Sequence, residues 1–149
     1  MAETKDKEAI QQLYNKVLPS LAERAYKHLT DVVALFDDFR LEKVVDTWTK
    51  DKNAASENEI SLENGNVSQI GLQLQLLGFQ RPGANAFDLY KDLVFKLEYS
   101  SYTVGPDRTI TWLEKPYYYQ WSNQELEDLA VQWTEEVIDD LTRQLQSLK

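Results

Sequence analysis

Two segments, one near each end of the chain, carry a single apolar stripe apiece, and no other feature restricts the fold as much. From about residue 6 to residue 39, Ile10, Tyr14, Val17, Leu21, Ala25, Val32, Leu35 and Phe39 fall in one arc at 100° per residue, which predicts an amphipathic helix. Leu126, Ala130, Trp133, Val137, Leu141 and Leu148 repeat the pattern near the other end. A helix with one apolar stripe has to bury it on something. What both helices have in common is the stretch between them, and that stretch alternates like a sheet.

The alternation is clearest in Leu93–Trp121, where Phe95, Leu97 and Tyr99 take one face and Lys96, Glu98 and Ser100 the other. Val104-Gly105-Pro106-Asp107 predicts the turn, with Arg108–Leu113 returning as an antiparallel partner. Pro116 then interrupts the strand, because proline gives no N–H to a ladder, and Tyr117–Trp121 follows as a short edge segment. Upstream, Ile70, Leu72, Leu74 and Leu76 alternate with Gly71, Gln73 and Gln75, and Asn64-Gly65 is a hairpin-turn signal. A helix competes there: leucine and glutamine favour it, Asn66 with Gln69 resembles a cap, and Gly78-Phe79 resembles a helix stop. The strand is preferred, because a helix would expose its leucines. Arg40–Thr49 reads as a further strand on its β-branched residues and Trp48, with polar connectors at 51–59 and 80–86.

Together these predict one α+β domain over residues 1–149. A meander of about four to six antiparallel strands lies between about residues 41 and 120, with both helices on one face. The runner-up is a mostly helical domain carrying a single hairpin at 93–114. Pro19 predicts a kink or restart near Leu18, and Asp37-Asp38 predict the helix end. Ser122 with Glu125 forms an S-x-x-E capping box, and Trp121 with Leu126 occupies the staple positions of the last helix.

The net charge is −9 and unevenly spread: residues 121–149 hold seven acids against Arg143 and Lys149. An acidic surface with no basic stripe repels phosphate backbones and anionic lipid, so nucleic-acid and membrane-surface binding are not expected. A protein partner, basic in the simplest case, fits the charge, and so does self-association. There is no cysteine, no run of 18 apolar residues and no apolar leader, which together point to a cytoplasmic setting. The lack of thiols excludes disulfides, thiolate metal sites and cysteine nucleophiles.

Catalytic signatures are missing. No phosphate-binding glycine loop, H-E-x-x-H, G-x-S-x-G or calcium loop occurs. The paired acids Asp37-Asp38 and Asp139-Asp140 point about 100° apart on a helix and do not converge on one ion. No enzyme, metal or cofactor is therefore expected. Three features remain as candidate sites. One is the run Tyr117, Tyr118, Tyr119 and Trp121, read as an interface edge or a pocket rim, since alternation turns at least one tyrosine outward. The second is the acidic face of the last helix, with Asp128, Glu135, Glu136 and Asp139. Glu135 and Asp139 are its candidate contacts, though a solvated face has the same pattern. The third is His28, the single histidine, placed at the centre of the N-terminal arc and so expected to be at least half buried, opposite a strand or the last helix. The leading expectation is a non-catalytic binding or inhibitor module. The alternative is a carrier with an aromatic-lined pocket between sheet and helices. An enzyme using His28 and a nearby carboxylate ranks last.

Overall fold

A computed structural model describes residues 7–45, 67–79, 87–107 and 109–147. The predicted turn at Asn64-Gly65, both polar connectors and Leu148 lie outside the described residues.

The N-terminal helix changes phase partway along. α1, Lys7–Gln12, passes through a π-helical turn, Leu13–Val17, into α2, Leu18–Val33. In that turn the Leu18 N–H reaches back to the Leu13 carbonyl, one residue further than in an α-helix. The wide turn sits immediately before Pro19, which lacks an N–H and would crowd the carbonyl four residues earlier. The extra residue slips the helix by about 100°. Ala9, Ile10 and Leu13 are buried before the slip, and Leu18, Leu21, Ala25 and Leu29 after it. The single arc expected through both halves is thus broken, and His28 lies on the flank of the true stripe. The helix also stops sooner than Asp37-Asp38 implied. Val32-Val33 are poor helix formers, and no basic residue supports the last turn.

The five strands are β1 (Phe36–Val45), β2 (Gln69–Phe79), β3 (Leu89–Leu97), β4 (Ser101–Gly105) and β5 (Leu113–Pro116). They pair antiparallel in the order β1-β2-β3-β4-β5. β1 takes in Phe36–Phe39, which the helical pattern had claimed. β2 confirms the strand reading of its segment, since Ile70, Leu72, Leu74 and Leu76 are all buried on the helix-covered face. Gly78, the apparent helix stop, is instead a residue of β2 at φ 72°, and a Cβ there would lie 2.9 Å from Asp37 Oδ2.

Two predicted boundaries move. β3 ends at Leu97, and the Glu98 N–H donates to the Ser101 carbonyl to close a tight turn, so Tyr99 is 66% exposed on the turn, not on a strand face. The returning strand is therefore β4. Gly-Pro-Asp opens a loop that folds back on the sheet. Asp107 Oδ1 accepts from the Thr109 N–H, the Thr109 hydroxyl and the Ile110 N–H, and the Trp112 N–H donates to the Val104 carbonyl. The loop lies so close that a Cβ on Gly105 would sit 1.8 Å from the Ile110 carbonyl oxygen. β5 stops at Pro116, and Tyr117–Trp121 is a turn and coil leading into α3, Asn123–Ser147, not an edge strand.

Both helices cover one face, α2 over β1 and β2, α3 beside α2 and over β3. The interior is filled by Leu21 and Leu29 of α2, Trp133 and Val137 of α3, and Leu74, Phe95 and Tyr102 of the sheet. Trp133 is fully buried and its indole N–H donates to the Asp92 carbonyl at 2.9 Å, so α3 is both packed and hydrogen-bonded onto β3. This is an α+β fold. Among the described residues no helix is long and apolar enough to cross a membrane.

Candidate functional site

α3 organises the polar surface of this molecule, beginning at its first turn. The capping box forms: the Glu125 N–H donates to Ser122 Oγ at 3.1 Å, and the Ser122 N–H to Glu125 Oε1 at 3.0 Å. The other Glu125 oxygen accepts from the Tyr119 hydroxyl and from Lys115 Nζ at 3.3 Å. Lys115 lies 3.9 Å above the Tyr119 ring and 5.7 Å from that of Trp121. These contacts hold the Glu125 carboxyl down at about 2, the Tyr119 hydrogen bond being the largest cause.

Behind this corner stands Tyr102. It is fully buried, stacks on Phe95 at 5.8 Å and accepts a hydrogen bond from the Trp121 indole at 2.7 Å. Burial pushes its hydroxyl up to about 12. Tyr117 is buried as well and donates to the Glu98 carbonyl. Tyr117, Tyr119 and Trp121 thus turn inward and bond to their own chain, while Tyr118 is 67% exposed. The hydroxyls expected at a pocket mouth close a corner of the core.

His28 faces the last helix, the second of the two neighbours expected for it, and not a strand. Its side chain is 39% exposed at the α2–α3 junction, where Nε2 lies 2.5 Å from Glu127 Oε2. Arg24, one helical turn earlier, reaches the other Glu127 oxygen at 3.1 Å. The His28 hydrogen bond, followed by that of Arg24, holds the Glu127 carboxyl below the usual range. The histidine does meet a carboxylate, as the catalytic alternative requires. The pair is shared with an arginine, however, and lies outside the interior between sheet and helices. Arg24, Glu127, Lys115 and Glu125 were missed as a set. The i, i+4 spacing of Arg24 and His28 was visible in the sequence, but its partner 99 residues away was not.

Down α3 the acids divide into two groups. Glu125 pairs with Lys115 and Glu127 with Arg24 and His28, while Glu136 and Asp140 flank Lys91 at 3.5 Å each. Asp128, Glu135 and Asp139 lie opposite the buried stripe and are exposed. At 100° per residue they fall within about 40° of one another. Glu135 and Asp139 have no ion pair among the described residues, and Ile138, 39% exposed, lies on the flank of the same face. Among the described residues no group of three or more metal-binding side chains comes together.

No protein-family model matches the chain, and neither does any curated protein or solved structure.

Proposed function

We propose that the protein is a non-catalytic binding module that docks a basic protein partner on the outer face of α3. The observation carrying this is the division of the helix's acids. Four of them are matched to cations of the fold, and three are aligned on the far side beside Ile138. Folding uses the first group. The second leaves a row of negative charge next to an apolar contact, which suits lysines or arginines flanking a hydrophobic residue. A cytoplasmic setting belongs to the same proposal, motivated by the cysteine-free composition. Tyr117, Tyr119 and Trp121 contribute to the corner beneath α3 and not to the docking face.

The test compares immobilised wild type with the double variant Glu135→Lys/Asp139→Lys in capturing proteins from extract, followed by elution with salt. Both positions are exposed, so the variant should keep its stability to within about 0.5 kcal/mol. The expected outcome is loss of the salt-eluted fraction. If that fraction is retained in full, the outer acids take no part in binding.

A further inference from the structure

Among the described residues, β1 has no strand paired along its outer side. It is an edge strand of ten residues, where the opposite edge, β5, has four. The Phe39 N–H is taken by the carboxylate of its neighbour Asp38 at 2.8 Å and not by β2. The period of two then turns the N–H and C=O groups of Leu41 and Lys43 outward as well. Edge strands are commonly shortened, broken by proline or covered. Within β1 the only such device is charge, and its charges have an order.

We propose that β1 pairs antiparallel with β1 of a second copy of this chain, in the register centred on Leu41, joining two five-stranded sheets into one. A two-fold axis normal to the sheet pairs outward-facing residues with outward-facing residues. Centring on Leu41 sets Leu41 against its own copy and Phe39 against Lys43. It also sets Arg40 against Glu42 twice, at positions where side chains approach most closely. Neighbouring registers are worse. Centring on Arg40 opposes Arg40 to itself and Asp38 to Glu42, and centring on Glu42 opposes that acid to itself. Centring on Phe39 shortens the pairing by running off the start of the strand. Neither Arg40 nor Glu42 has an ion pair among the described residues.

The surface beside the edge is apolar. Ala22, Tyr26, Phe39 and Leu41, with Glu23 at the rim, line an open groove of about 420 Å³ between α2 and β1. Tyr26 is 42% exposed and stacks on Phe39 at 5.3 Å. An axis through Leu41 brings the two grooves face to face, adding apolar burial to the strand hydrogen bonds. The surface is distinct from the outer face of α3, which lies over β3.

Sedimentation of the full chain over a concentration series tests the pairing. Wild type is expected to dimerise. Arg40→Glu and Glu42→Arg should each weaken the dimer about tenfold or more, because attraction becomes repulsion at two symmetric pairs. The double variant Arg40→Glu/Glu42→Arg restores the complementarity and should recover the wild-type constant. Because the chain has no cysteine, Leu41→Cys should give a disulfide-linked dimer on mild oxidation, and Thr30→Cys on α2 should not. A wild-type monomer at millimolar concentration, a double variant as weak as the single ones, or equal crosslinking at both positions would overturn the proposal. The Glu135→Lys/Asp139→Lys variant should remain dimeric, which separates this surface from the α3 face.

Discussion

At the β5 edge, Tyr119 and Trp121 hold the Lys115 ammonium, and Glu125 closes the arrangement with a carboxylate. At the β1 edge, Tyr26 and Phe39 stack on one another beside an open groove. The aromatic residues are similar, but the two edges are completed differently. β5 is short, ends at Pro116 and is followed by a coil whose polar tips bond to their own chain. β1 is long, and charge is the only protection in its sequence. Aromatic content therefore does not separate a closed edge from an open one; the partners of the hydroxyl and indole groups do.

The largest effect should come from removing the ring that backs each edge, Tyr102 on β4 beneath the β5 corner and Tyr26 on α2 beside β1. Tyr102→Ala deletes a fully buried side chain and the acceptor of the Trp121 indole, and should cost about 3–5 kcal/mol. Tyr26→Ala removes a half-exposed ring stacked on Phe39 and should cost about 1 kcal/mol in the monomer. Urea unfolding midpoints with unchanged slopes measure both. Equal losses would mean that the two edges are finished alike.

The glycines sharpen the same contrast at a smaller scale. At Gly105 an added Cβ meets backbone, the Ile110 carbonyl, and Gly105→Ala should cost about 1–3 kcal/mol by displacing the loop. At Gly78, beside the start of β1, the nearest obstacle is the Asp37 side chain, which can rotate away. The left-handed backbone then sets the penalty for Gly78→Ala at about 1–2 kcal/mol. Adding Asp37→Ala should leave the Gly78→Ala penalty largely unchanged, because backbone conformation and not collision causes it.

How much of this was legible follows from the range of each signal. The capping box at Ser122, the α3 stripe as far as Leu141 and the alternation of Ile70–Leu76 are local signals, and all three appear where they were read. The helix-to-Phe39 reading failed because the apolar spacing runs on past Val32-Val33, where poor helix formers and the lack of a basic residue in the last turn end the helix. The 100° slip at Leu13–Val17 has no marker except Pro19, which suggests a kink and not a change of phase. The slip also moved His28 from the centre of the stripe to its flank, although it still faces the last helix, one of the two neighbours expected for it. The β3–β4 turn at Glu98–Ser101 was missed because it contains no glycine, proline or asparagine, while the Gly-Pro-Asp nearby drew the turn to itself. The candidate site was legible only as a row of acids. Deciding which of them the fold neutralises needs Lys91 and Arg24, both distant in sequence, and Lys115, which lies only ten residues away but beyond a strand end and a turn.

The smallest effect separates the closed edge from a merely crowded one, and it depends on pH. Glu125 titrates at about 2 in the folded protein against an ordinary value of 4.5, with the Tyr119 hydroxyl as the main cause, followed by the Ser122 N–H. The folded state therefore binds the proton less readily than the unfolded state. The stabilisation is complete above pH 4.5 and is lost as pH falls toward 2. Tyr119→Phe keeps the ring over Lys115 and removes the hydroxyl. It should let Glu125 titrate closer to its ordinary value and make the acid loss of stability shallower between those limits. Carboxyl carbon shifts of Glu125 followed from neutral pH to pH 2 report the midpoint directly, and urea midpoints over the same range report the stability. An unmoved midpoint in Tyr119→Phe would show that the cap and Lys115 hold Glu125 without the tyrosine. Charge and the helix cap would then be enough to close the β5 edge, whereas at β1 charge leaves the edge open.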